Sequence, residues 1–182
     1  LGLISFTDIE GRASMEELST RFPGLVAGLA EHPGIGFVLV SSESLGGLVI
    51  GGGGIRYLSD DHVEGEDPLI GFGPNAADHL RRTHSFVNAP DILVNSFYDP
   101  HADEGAAFEE LIGFHGGMGG NQTHPFVLFP SGFAVPDEPM VGAATIHHLF
   151  KGWMATINDG SAPAPWTVPE RPANAPIPVP EV

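Results

Sequence analysis

Apolar residues fall in short runs separated by glycine, proline and acidic stretches, and the period of each run predicts its element. Residues 1–6 (Leu-Gly-Leu-Ile-Ser-Phe) have strand character, and 35–40 (Ile-Gly-Phe-Val-Leu-Val) are the clearest buried strand in the chain. Gly46-Gly47 reads as a turn, after which Leu48-Val49-Ile50 returns as a second strand, so a β-hairpin is expected. Four glycines, Gly51 to Gly54, lead into Ile55-Arg56-Tyr57-Leu58 and suit another hairpin turn. No Lys-Ser/Thr follows them, so they lack the phosphate-loop signature. Ile92-Leu93-Val94 and Phe126-Val127-Leu128-Phe129 complete the strand-like runs.

Helical signals lie between them. Ser14 suits the cap of a helix over 15–22, with Glu17 three residues on in capping-box spacing. Pro23 fits the first turn of a second helix over 24–31, which His32-Pro33-Gly34 stops. Residues 75–83 read as a polar helix and 106–112 as a short one. The last helix, 141–157, carries Ile146, Leu149, Phe150, Trp153 and Met154 on an apolar stripe. Strands alternating with helices predict an α/β domain over 1–158. Beyond it, 159–182 is rich in proline and alanine and reads as an extended tail.

Charge narrows the function classes. The chain of 182 residues has 23 acidic and 7 basic residues, a formal charge of −16. Such a surface repels nucleic-acid phosphates and argues against a DNA- or RNA-reading role. There is no cysteine, so a metal would be held by histidine and oxygen ligands. No apolar run approaches bilayer-spanning length, so the piece is expected to be soluble. A strand-like start at Leu1 without methionine suggests a C-terminal piece of a longer protein. Its first strand would then expose a sheet edge open to self-association.

Two stretches carry candidate chemistry. In Gly113-Phe114-His115-Gly116-Gly117-Met118-Gly119-Gly120, glycines allow positive φ and close approach to a ligand or metal. In Asp91-Ile92-Leu93-Val94-Asn95-Ser96-Phe97-Tyr98-Asp99-Pro100, a buried strand runs straight into polar groups. Sites in open α/β sheets gather beyond strand carboxyl ends, so Asn95 and Tyr98 are candidate substrate-lining residues. The other histidines are less informative. His32 suits a helix end, and adjacent His147 and His148 lack the i, i+4 spacing of paired ligands. Arg81 and Arg82 suit surface pairing with carboxylates. The acidic run 59–68 reads as a solvated loop; a calcium site there would lack EF-hand spacing.

The order of these segments resembles the alkaline-phosphatase superfamily. In its phosphodiesterase and nucleotide-pyrophosphatase branch, a late strand precedes a loop with a Gly-x-His-Gly core, here Gly113-Phe114-His115-Gly116. The chain is still more similar to a bacterial subfamily that joins an N-terminal holin-like membrane segment to a C-terminal phosphodiesterase-like domain. The likeness is carried by His32-Pro33-Gly34-Ile35-Gly36-Phe37-Val38-Leu39-Val40, by Phe72-Gly73-Pro74-Asn75-Ala76-Ala77-Asp78-His79-Leu80, by Val94-Asn95-Ser96-Phe97-Tyr98-Asp99-Pro100 and by the His115 loop. Together these span most of residues 1–155.

The resemblance implies the C-terminal portion of a three-layer α/β/α sandwich with a β-hairpin insertion. It implies two divalent metals, typically zinc, or else manganese, and a Thr or Ser nucleophile that attacks phosphorus. His115 would correspond to the last histidine ligand of one metal. The nucleophile and remaining ligands lie upstream in the family, and no Asp-His-Gly ligand motif occurs here. The chain alone is therefore expected to be inactive. The upstream part of the same protein would complete it, a small phosphorylated compound would be the substrate, and the parent would be membrane-anchored in a bacterium. The alternative is a non-catalytic acidic binding module, or a calcium-binding domain.

Overall fold

In a computed structural model, which describes residues 1–110, 113 and 115–160, the chain is mixed α/β. It divides into two compact units, Leu1–Phe126 and Val127–Val182. The sequence draws its boundary later, at 158/159; the expected tail beyond Gly160 lies outside the described residues.

The first unit is built on a six-stranded sheet of β1 (Gly2–Ile4), β2 (Ile35–Ser42), β3 (Gly46–Gly51), β4 (Gly54–Tyr57), β5 (Val63–Gly65) and β6 (Ile92–Ser96). The spatial order is β1-β6-β2-β3-β4-β5 and each pair is antiparallel. Short connections make this so, since β2 to β5 follow one another through tight turns that cannot join parallel neighbours. β1 lies at an edge with Leu1 and Leu3 exposed.

Helices cover both faces, following the period-2 alternation of β2, β3 and β6. Val38, Val40, Leu48, Ile92 and Val94 face α1 (Met15–Arg21) and α2 (Leu25–Ala30), which contribute Leu18, Val26 and Ala30. Phe37, Leu39, Val49 and Leu93 face α3 (Ala76–His84), which contributes Ala76 and Leu80. Each fully buried aliphatic side chain here contributes roughly 1.5–3 kcal/mol. The expected N-cap forms: Ser14 Oγ accepts from Glu17 N at 3.1 Å.

Glycines in the hairpins serve close approach as much as turning. The β2–β3 turn lies at 43–45, so Gly46-Gly47 opens β3 instead of forming the turn. A Cβ on Gly47 would stand 3.0 Å from Leu58 Cδ1 and 3.1 Å from His84 Cγ, so glycine lets those side chains pack close against β3. Gly51 pairs with Gly54 across the expected second turn.

A buried polar staple fixes the connections. Asp91, at the foot of β6, accepts from Phe6 N at 2.7 Å and Ala13 N at 2.6 Å. Arg12 donates from Nε to Pro90 O at 2.9 Å, and from Nη1 to His84 Nδ1 at 2.9 Å and His84 O at 3.1 Å. Burial, and secondarily the Arg12 charge, hold His84 below its ordinary value of 6.5. The acidic run is partly neutralised as well. Arg56 holds Asp67 through two bonds and Asp61 through a third, while Arg81 pairs with Asp61 and Asp78.

Two expected elements come out differently. Ala106 to Glu110 is irregular rather than helical, and Leu111 and Ile112 lie outside the described residues. Ala106 N instead donates to Phe97 O at 2.9 Å, and a seven-residue helix has little stability of its own. Phe126 to Phe129 pairs with no strand among the described residues; Phe126 and Leu128 are 90% and 92% exposed. An apolar run becomes a strand only when an edge is there to receive its backbone.

In the second unit, α4 (Ala143–Asp159) supplies Trp153, whose ring packs against Phe129, Phe133 and Phe150 and whose Nε1 donates to Ala134 O at 2.9 Å. No helix among the described residues is long and apolar enough to cross a membrane.

Candidate functional site

The site lies at the carboxyl end of β6, where the chain leaves the sheet as a small hairpin and returns as the glycine-rich loop. Because the sheet is antiparallel, this end sits beside the start of β2, with Ser96 paired to Ile35. The crevice rule for parallel sheets thus does not place it; a local irregularity does. The register of β2 shifts between Ile35 and Phe37, making a bulge at Gly36. A Cβ on Gly36 would stand 2.5 Å from Phe72 Cζ, so Gly36 lets the Phe72 ring close over the bulge.

Beyond Ser96, β7 (Tyr98–Asp99) pairs with β8 (Glu104–Gly105). Asp99 Oδ1 accepts from His101 N at 2.8 Å and builds the turn that Asp99-Pro100 predicts. Asp103 completes it at φ 53° and accepts from Tyr98 Oη at 2.8 Å and Asn121 Nδ2 at 3.1 Å. The bond to Asp103, followed by burial and nearby acidic charge, holds the Tyr98 phenol above its ordinary 10.0. Tyr98 thus engages Asp103 as a hydrogen-bond donor.

The three sequence-predicted site residues meet around one loop, in different ways. His115 is exposed. Asn95, expected to line a substrate, is instead fully buried with its amide occupied by Met118 and Ser96 backbone. Tyr98 is half-buried beneath Gly119 and Gly120, where a Cβ would come within 2.7 Å of its ring atoms. Gly116, Gly119 and Gly120 have positive φ, so the loop uses its glycines both for conformation and for packing against Tyr98. A short 3₁₀ turn, Gly120–Thr123, closes it, with Gln122 Nε2 donating to Met118 O at 3.0 Å.

Asp103, Met118 and Asn121 belong to the site but are not evident in the sequence. The one signal for Asp103 is its place in an Asp-Pro turn. His124 is exposed and its backbone N donates to Asn121 O at 3.0 Å. His32 Nδ1 accepts from Gly34 N at 3.1 Å, a local structural role, though as an acceptor in the turn and not as a cation at the helix end.

Zinc in a closed site takes four ligands. Among the described residues, no three of His, Asp and Glu stand together as a ligand group. The described residues by themselves therefore do not fit a two-metal centre, and His115 can supply only one donor to such a group. No family model matches the chain, and no curated protein or solved structure matches it significantly.

Proposed function

We propose that the chain is the C-terminal part of a metal-dependent phosphoesterase of the phosphodiesterase type, with the alkaline-phosphatase-like three-layer architecture. His115 supplies one ligand to a divalent metal, zinc or manganese, and the remaining ligands and the Thr or Ser nucleophile come from the upstream part of the same protein. The substrate is a small phosphorylated compound, and any membrane anchor belongs to the upstream part. The observation that carries this reading is the setting of His115. It is exposed, at the start of a glycine-rich loop whose following residues pack onto the end of a buried strand. The ordered likeness of the 32–40, 72–80, 94–100 and 113–120 segments supports it.

One observation favours a second reading, a non-catalytic acidic module: the described residues lack a three-ligand group. Asp61 and Asp67 are already paired with arginines, which leaves calcium binding by the 59–68 run the weaker form of that reading. Hydrolysis of a nitrophenyl phosphodiester by the protein with its upstream sequence separates the two. Zinc- or manganese-dependent turnover that collapses in His115→Ala supports the phosphoesterase. Absence of turnover with either metal, or turnover unchanged in His115→Ala, contradicts it.

A further inference from the structure

We infer that Asn95 is a positioning residue that presents His115 by treating the glycine-rich loop as an additional strand. Asn95 lies on the α3 side of β6, the face of Leu93, and is fully buried. Its Oδ1 accepts from Met118 N at 2.7 Å, and its Nδ2 donates to Met118 O at 3.1 Å and to Ser96 O at 3.0 Å. One side-chain amide thus exchanges both bonds with one main-chain residue, as directly opposed residues do in an antiparallel ladder. Met118 packs into the α3-side core through this clamp. Gly117 is the residue that must slide past: a Cβ there would stand 2.9 Å from Asn95 Oδ1. Tyr98 fixes the next two residues, Gly119 and Gly120, by contact.

The consequence concerns His115. It lies three residues before the clamped Met118, and three residues reach at most about 10 Å. The clamp therefore tethers His115 to the end of β6 through Gly116 and Gly117 alone, and no hydrogen bond among the described residues joins it to Asn95 or Tyr98. The clamp stands on geometry alone; that its purpose is to set a metal ligand rests on the phosphoesterase reading.

Asn95→Asp is the informative variant in the 182-residue chain. It keeps size and acceptor but replaces the donor with a carboxylate oxygen facing two carbonyls, and protonation restores a donor. Amide exchange at Met118 and the His115 ring resonances are followed by NMR as pH is lowered. We expect a protected Met118 amide in the native chain. In Asn95→Asp that protection is lost at neutral pH and recovered as the carboxyl protonates, the His115 ring signals differ from those of the native chain at the same pH only while it is lost, and the β6 amides stay protected throughout. Asn95→Ala should lose protection at all pH values. A Met118 amide that exchanges at peptide rates in the native chain overturns the proposal. So do His115 signals indifferent to Asn95→Asp, or β6 protection that falls together with that of Met118. If the clamp behaves as expected while His115→Ala leaves metal binding by the extended protein unchanged, the positioning role stands and the phosphoesterase reading falls.

Discussion

Asn95 and Ser96 are neighbours on β6, both buried, and their polar groups fare differently. Every bond that Asn95 makes is to a backbone group, whereas Ser96 Oγ finds no partner among the described residues. Asn95→Ala should therefore lower stability by about 2–4 kcal/mol, since it strands the Met118 amide as well as leaving a void. Ser96→Ala should be neutral or raise stability by up to about 1 kcal/mol, because it removes a buried hydroxyl with nothing to bind. Urea unfolding of the two variants checks both, and an equal loss in each would contradict the assignment of bonds. The loop glycines separate in the same way. Among the described residues nothing lies within 4 Å of a Cβ built on Gly113, while Gly119 combines φ 112° with an approach of 2.7 Å to Tyr98 Cγ. Gly113→Ala should be tolerated. Gly119→Ala should cost about 1–3 kcal/mol or release the loop, visible as faster proteolysis near 115–124.

The elements divide into those that announce themselves and those that exist only through pairing. The hairpin strands, β6 and the three helices of the first unit are legible because apolar period and the Ser14 cap are local signals, although the glycine pair 46–47 points to the wrong place for the first turn. β5, β7 and β8 are two or three residues long and have no period to read. Residues 126–129 show the converse, a strand-like pattern with no partner edge among the described residues. At the candidate site the sequence indicates which residues neighbour the loop, and not what they do there. A strand running into polar residues points to Asn95 and Tyr98, but the clamp joins residues 23 apart in the chain, and nothing local says which face the loop returns to.

The junction of α3 with the connection before α1 carries a pH prediction. Arg12 Nη1 donates to His84 Nδ1, so the native bond needs the neutral imidazole. With the folded value held below 6.5, the unfolded chain binds the proton more readily. The stabilisation is fully present above 6.5 and is lost as pH falls from there toward the depressed native value. Unfolding free energy should therefore decline over that window, with a shallower slope in His84→Asn. An unchanged slope in the variant would contradict it.

Across the molecule, a formal charge of −16 means self-repulsion in the compact state. Raising ionic strength from about 0.01 M to about 0.15 M shortens the screening length from about 30 Å to about 8 Å. The melting temperature should rise, by about 2–4 °C for each kcal/mol of repulsion relieved. A fall would mean that the Arg56 and Arg81 ion-pair network outweighs the net charge. On the proposed phosphoesterase reading, a bound dication would supply the positive charge that a phosphorylated substrate needs on so acidic a chain. That reading depends on one imidazole at the head of a clamped loop. Its most direct test is the metal content of the protein carrying its upstream sequence, by elemental analysis, with and without His115→Ala. The account predicts about two zinc or manganese ions per chain, by the two-metal pattern of such hydrolases, and a clear loss in the variant at unchanged fold. Equal metal content in the two proteins, or none in either, would contradict it.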